Sequence, residues 1–210
     1  MKKTIISKIE VKEKFIKTVK MAVKIMKRGG LIIYPTETCY GIGCDATNSK
    51  AIKKIYKIKK REKKKAMTIL VSNRRMIKKY VKVTKKIEKL MKNFMPGPLT
   101  IIAKKRNDNF LVNRENTVAF RVSSNKLATN IVKNLKKPII STSANISKES
   151  PIYNIKEIIK TFDKKVDMII DGGNLKKIKP STIIDMTNNE DIIRKGPISR
   201  EEILKSLSKG

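Results

Sequence analysis

Short β-prone apolar blocks alternate with amphipathic stretches along the whole chain, and this interleaving constrains the fold more than any other feature. A half-buried strand repeats its apolar residues at every second position, whereas a surface helix repeats them at every third or fourth. Phe15, Val19, Ala22, Val23 and Met26 follow the helical period and end at Gly29 and Gly30, a helix stop. Leu31 to Tyr34 reads as a strand running into PTETCYGIGCDA (35–46), read as a loop because proline and glycines break regular structure. Ile52, Ile55 and Tyr56 then form the inner face of a helix capped by Asn48 or Ser49. Further strands are expected in MTILVS (67–72), LTIIAKK (99–105), TVAFRVS (117–123), PIISTSAN (138–145) and at 168–170, 181–185 and 192–194. Helices are expected at 76–81, 87–94, 123–137 and 155–162, and after Ser199, which forms a capping box with Glu202 beside an Ile198–Ile203 staple. PGP at 96–98 halts one helix, and a polar loop spans 107–116.

Interleaved helices and strands predict an α/β layer architecture. The connections between strands in the second half are too short for helical crossovers, so the sheet should be mixed. No internal repeat, low-complexity linker or composition break divides the chain, which predicts one domain over residues 1–210.

The absence of histidine removes the usual general base, the Ser-His and Cys-His nucleophile pairs and the commonest transition-metal ligand. Two cysteines, Cys39 and Cys44, make neither a disulfide framework nor a zinc spacing and fit a reducing cytoplasm. The N-terminal stretch lacks an apolar core of signal-peptide length, and nowhere do eighteen apolar residues run together. The expected location is the cytoplasm, with no membrane partner. With 51 Lys plus Arg against 18 Asp plus Glu, the net charge is +33, a field that attracts polyanions and leaves nucleic acid open as a partner.

Four stretches carry more hydroxyls, glycines and fixed positive charge than packing requires. PTETCYGIGCDA presents Thr36 and Thr38 at a strand end, either as a tight turn or as a ligand contact. In KIKKREKKKAM (57–67), Lys59, Arg61 and Lys65 precede a buried strand; a solvated helix face explains any one lysine, while Arg61 suits bidentate binding of phosphate or carboxylate. Arg121 lies within an otherwise apolar strand, with Thr117 on the same face; a structural salt bridge and a substrate carboxylate serve it equally well. Ser141, Ser143, Asn145, Ser147 and Ser150 follow a buried strand, the usual place for ligand contact in α/β folds, though also that of a hydroxyl-rich turn. Ser181, Thr182 and Arg194 add weaker signals. Together they describe a pocket of donors without a nucleophile or metal cage, suited to binding anions and positioning reactants.

Seven segments occur in an order that resembles the YrdC-like, TsaC-type threonylcarbamoyl-AMP synthases: YPTETCYGIGCDA, the KxR of Lys59 and Arg61, FMPGPLTII, VAFRVSSN, STSANISKESP, DGG with PSTIIDMT, and IIRKGPIS. The resemblance implies a twisted mixed sheet with flanking helices and a basic concave cavity. It implies synthesis of threonylcarbamoyl-AMP and pyrophosphate from L-threonine, bicarbonate and ATP, with Mg2+ accompanying the nucleotide and a partner enzyme transferring the group to tRNA. Thr38, Arg121, Ser141 and Ser181 would then hold threonine, while Lys59, Arg61, Lys65, Thr117, Ser143, Asn145, Ser150 and Arg194 would serve ATP. The chain departs from the family pattern at Glu62, Ala66 and Met67, at Leu70 where a histidine is frequent, and in a Ser143–Ser150 spacing one residue shorter than usual. Because the sequence runs only a short way past IIRKGPIS, the resemblance is expected to be to the single-domain form and not to longer relatives with an extra domain. The alternative reading is an RNA-binding protein of the same fold, for tRNA or double-stranded RNA, although aromatics at 5% supply few stacking platforms.

Overall fold

The computed structural model describes residues 3–9, 12–62, 65–106 and 116–208. Ten strands form one sheet: β1 (Ile5–Lys8), β2 (Ile32–Pro35), β3 (Tyr40–Asp45), β4 (Ile69–Leu70), β5 (Leu99–Lys104), β6 (Thr117–Arg121), β7 (Ile139–Ser143), β8 (Met168–Asp171), β9 (Thr182–Asp185) and β10 (Asp191–Arg194). Their order across the sheet is β1-β8-β2-β3-β7-β4-β6-β5-β9-β10. The sheet is mixed: β1/β8, β2/β8, β4/β6 and β5/β9 are parallel and the other neighbours antiparallel. The helices are α1 (Lys12–Lys27), α2 (Ser49–Ile58), α3 (Arg74–Ile77), α4 (Lys85–Phe94), α5 (Lys126–Leu135), α6 (Ile155–Phe162) and α7 (Arg200–Ser208).

Strand alternation divides the buried residues between two faces. On one, Ile42, Ile101, Phe120, Ile140, Ile169 and Ile184 pack against α2, α4, α6 and α7 through Ile55, Leu90, Phe162 and Ile203. On the other, Ile32, Tyr34, Leu70, Ile139, Met168 and Ile170 meet α1 and α5 through Val19, Ala22, Met26, Ala128 and Ile131. Among the described residues, this second core contains no side chain of β5, β6, β9 or β10. That uncovered part of the face lies open as a concavity.

Helix ends follow local chemistry. Gly29, at φ 74°, and Gly30 close α1 by donating to the carbonyls of Met26 and Ile25. The Asn48 side chain, rather than Ser49, caps α2 by accepting from the Ala51 amide. Ser199 and Glu202 exchange the reciprocal bonds of a capping box.

Two expectations are corrected, and one strand was not expected. PTETCYGIGCDA is not loop throughout, because Tyr40–Asp45 is a fully buried strand. Tyr40, Ile42 and Cys44 alternate into one core, and the glycines face the other way because neighbours come too close for a side chain. A Cβ on Gly43 would stand 2.4 Å from the Ile140 carbonyl oxygen. The helix expected over 76–81 is the single turn Arg74–Ile77, capped by Asn73, and Val81 instead bridges to Lys105. Ile5–Lys8 forms an edge strand beside β8, whose alternation the surrounding charges obscure. The polar loop expected at 107–116 lies outside the described residues except for Asn116.

Candidate active site

The concavity is a cavity of about 300 Å³ whose floor comes from alternate residues of neighbouring strands: Thr100 and Ile102 of β5, Ala119 and Arg121 of β6, Ser141 and Ser143 of β7, and Ile183 of β9. Thr36, Thr38 and Cys39, from the turn between β2 and β3, close one end. Arg61 stands at one wall, and Ser181, Ile193 and Arg194 at another. Of the twelve residues singled out by sequence, Thr38, Arg61, Arg121, Ser141, Ser143, Ser181 and Arg194 meet here.

Arg121 is 6% exposed, and its Nη1 lies 3.1 Å from Glu37 Oε1. The pair is electrostatic, for Oε1 meets no donor at hydrogen-bonding geometry and Arg121 Nε is likewise unpartnered. The other Glu37 oxygen accepts from the Ser123 hydroxyl. The structural salt bridge left open for this arginine is present, and its side chain also lines the cavity. Glu37 was legible in principle, since a buried arginine requires a carboxylate and PTET supplies one.

Thr36 organises the turn. Its hydroxyl donates to the Cys39 carbonyl at 2.7 Å and lies 3.2 Å from both the Thr38 amide and the Thr38 hydroxyl. Burial pushes the Cys39 thiol up, which keeps it protonated and a poor nucleophile. Tyr34 packs beneath Gly43 with its hydroxyl beside Ser141, and burial pushes the phenol well above its ordinary pKa.

Ser181 joins two sides of the site. Arg194 Nη2 donates to its hydroxyl oxygen and Arg194 Nε to its carbonyl, both at 3.0 Å, while Thr100 Oγ1 lies 2.8 Å from the same hydroxyl. Burial, and then the charge of Arg121, push the Arg194 guanidinium below its ordinary pKa. Across the cavity Arg61 spans the loop after α2, donating from Nη2 to the Ala66 carbonyl at 2.7 Å and from Nε to the Lys65 carbonyl.

The remaining five residues lie elsewhere. Lys59 is 1% exposed and sits behind the cavity wall, where Nζ donates to the carbonyls of Ser143 and Asn145 and to Asn145 Oδ1. Burial, then the Arg61 charge, push the Lys59 ammonium down to about 8, while three acceptors matched to its three protons hold it charged. Asn145 is committed to the same knot, accepting from the Ser143 hydroxyl and donating to the carbonyls of Ile146 and Glu149. Both order the end of β7 at Ser143 and the loop that follows it, and neither lines the cavity. The Lys65 side chain is exposed on a 2.9 Å ion pair with Glu62, and Ser150 is also exposed. Thr117 shares the face of Arg121 but lines a neighbouring groove of about 510 Å³ with Lys82, Lys104, Lys105 and Arg106.

No group of three or more His, Cys, Asp or Glu side chains able to hold a metal occurs among the described residues. The cavity lining itself contains no carboxylate. No helix among the described residues is long and apolar enough to cross a membrane.

Known proteins share this sequence pattern and fold. Residues 24–196 match the Sua5/YciO/YrdC family, described as "Telomere recombination". A Methanocaldococcus jannaschii protein, provisionally named a threonylcarbamoyl-AMP synthase, is 39% identical over 185 residues, covering 87% of each chain. The crystal structure of P. abyssi Sua5 complexed with L-threonine superposes with a TM-score of 0.88 at 28% identity; it matches 98% of this chain, which spans only 61% of the Sua5 chain. The crystal structure of E. coli YciO has a TM-score of 0.84 at 28% identity, over 97% of this chain and all of its own. On the strength of the family match and of the 39% identity over most of its length, the chain belongs to the Sua5/YciO/YrdC family.

Proposed function

We propose that this chain is an L-threonylcarbamoyladenylate synthase, with the whole described sheet acting as one unit. The observation that carries the reading is a cavity lined by three arginines and a cluster of hydroxyls, with no carboxylate or activated nucleophile. Such a site binds anions and aligns them, leaving the bond-making to the reactants.

In the proposed reaction the threonine amine adds to the bicarbonate carbon, and loss of water leaves a carbamate. A carbamate oxygen attacks the α-phosphorus of ATP, the bond to the bridging oxygen of the β-phosphate breaks, and pyrophosphate departs. Arg121 takes the threonine carboxylate through the donors Glu37 leaves free, with Thr38, Ser141 and Ser181 around the amino acid. Arg61, Arg194 and Ser143 face the nucleotide phosphates, where guanidinium groups offset the charge that gathers as pyrophosphate leaves. Lys59 and Asn145 hold Ser143 in place rather than touch ATP, and Lys65, Thr117 and Ser150 have no contact with the nucleotide in this reading. Because no carboxylate lines the cavity, the residues do not fit a resident metal; Mg2+ enters on the phosphates of ATP as part of the substrate.

The product is a mixed anhydride of a carbamic acid and AMP, reactive toward water and amines. We therefore assign its consumption to a partner transferase that carries the threonylcarbamoyl group to an adenosine of tRNA in the cytoplasm. Purified protein given MgATP, bicarbonate and L-threonine should release pyrophosphate in proportion to threonine; release indifferent to threonine rejects the reading.

A further inference from the structure

We infer that Thr100 is a positioning residue that turns the Ser181 hydroxyl into a hydrogen-bond donor aimed into the cavity, where it takes an acceptor oxygen of the amino-acid substrate. The identity of that ligand rests on the synthase reading; the direction of the hydroxyl rests on counting protons.

Thr100 is 2% exposed and lies on the cavity face of β5, where the parallel register pairs it with Ile183. The Thr182 amide donates to the Pro98 carbonyl at 2.9 Å and fixes the relative height of the two strands. Ser181 therefore sits diagonally beside Thr100, with hydroxyl oxygens 2.8 Å apart. A threonine side chain is stiff about its first torsion, so this hydroxyl is held rather than free to search.

Either oxygen of the pair could donate on distance alone. The rest of the network decides. A guanidinium only donates, so the 3.0 Å contact from Arg194 Nη2 occupies one lone pair of Ser181 Oγ. The only partner of Thr100 Oγ1 among the described residues is Ser181. Were Ser181 to donate to Thr100, the Thr100 proton would have no protein acceptor among the described residues, and at 2% exposure against 5% for Ser181 it is the less able of the two to find one in the cavity, where an unmet donor costs its desolvation. With Thr100 donating instead, both lone pairs of Ser181 Oγ are filled and its proton points to the open side of the cavity. Two incoming bonds, one from a cation, also polarise the outgoing O–H.

Ser181 is consequently closed to ligand donors such as an ammonium and open to carboxylate or hydroxyl oxygens. Arg194, the cation at this end of the cavity, reaches the amino-acid end through the same oxygen, so threonine and nucleotide contacts share one network.

The test is calorimetric titration of the full chain with L-threonine, alongside threonine-dependent pyrophosphate release. Thr100→Val keeps the volume and the β-branch while removing the hydroxyl. It should weaken threonine binding about five-fold, the equivalent of one ordinary hydrogen bond, and Thr100→Ser should restore affinity to within about two-fold. In a Ser181→Ala background the further change to Thr100→Val should cost less than about two-fold, because the hydroxyl it positions is gone. Unchanged affinity in Thr100→Val, or losses that multiply independently in the double variant, overturns the inference. If Thr100→Val does not fold, Thr100→Cys carries the same comparison against Ser181→Ala. Threonine binding by the wild type without pyrophosphate release rejects the synthase reading and leaves this one standing. No threonine binding by the wild type overturns both.

Discussion

Removing the Arg121 guanidinium separates two effects that the wild-type chain combines. Arg121→Met leaves Glu37, whose side chain is 14% exposed, without its cation. Breaking a buried ion pair from one side costs about 3–5 kcal/mol. The open cavity lets water reach the site, so about 3 kcal/mol, the lower end, is expected. For a chain of this size that corresponds to a fall in Tm of about 6–12 °C. Glu37→Gln in the same chain removes the stranded charge and still accepts from Ser123, so the double variant should recover all but about 1 kcal/mol. Threonine affinity should not recover with it, since the carboxylate partner is still missing. Thermal unfolding and calorimetric titration of the four proteins measure both. A double variant as unstable as Arg121→Met refutes the pairing argument, and one that regains threonine binding refutes the ligand role of Arg121.

Lys59 makes stability depend on pH. Its folded pKa of about 8 lies below the ordinary 10.5, so between those values the unfolded chain holds a proton that the folded chain has released. Stability therefore rises with pH through that window, and this rise should disappear in Lys59→Met when denaturant unfolding is compared at about pH 7.5 and 9.5. Above about pH 10 the buried Tyr34 and Tyr40 phenols reverse the trend, because folding opposes their ionisation. Gly43→Ala forces a methyl against the Ile140 carbonyl and should cost about 1–3 kcal/mol in denaturant unfolding. Arg61→Ala should raise the KM for ATP by about ten-fold or more, whereas Lys65→Ala and Ser150→Ala, at exposed positions, should stay within about two-fold in steady-state assays.

The sequence was most readable where one periodicity acted alone. The inner face of α2 and the strands at Leu99–Lys104 and Thr117–Arg121 stand out because apolar residues recur without interruption. Tyr40–Asp45 was hidden because glycines at every second position look like breakers, whereas here they admit Tyr34 and β7 to close approach. Among the site residues, spacing along a strand assigned Arg121 its face, yet it could not show that Thr117, one strand repeat away from Ala119, opens onto a separate groove. Lys59 shows the opposite limit. It sits in a run of lysines expected to be solvated, and only the end of β7 and the loop after it supply the carbonyls that bury it. Partners far apart in sequence, Glu37 with Arg121 and Thr100 with Ser181, depend on strand order, which no local pattern encodes.

The central claim is tested most directly by identifying the product. The wild-type chain, incubated with MgATP, L-threonine and isotopically labelled bicarbonate, should yield threonylcarbamoyl-AMP carrying the label in its carbamoyl carbon, together with an equal amount of pyrophosphate by mass spectrometry and phosphate analysis. Formation of AMP and pyrophosphate without a labelled adduct, or no turnover of ATP, would contradict it.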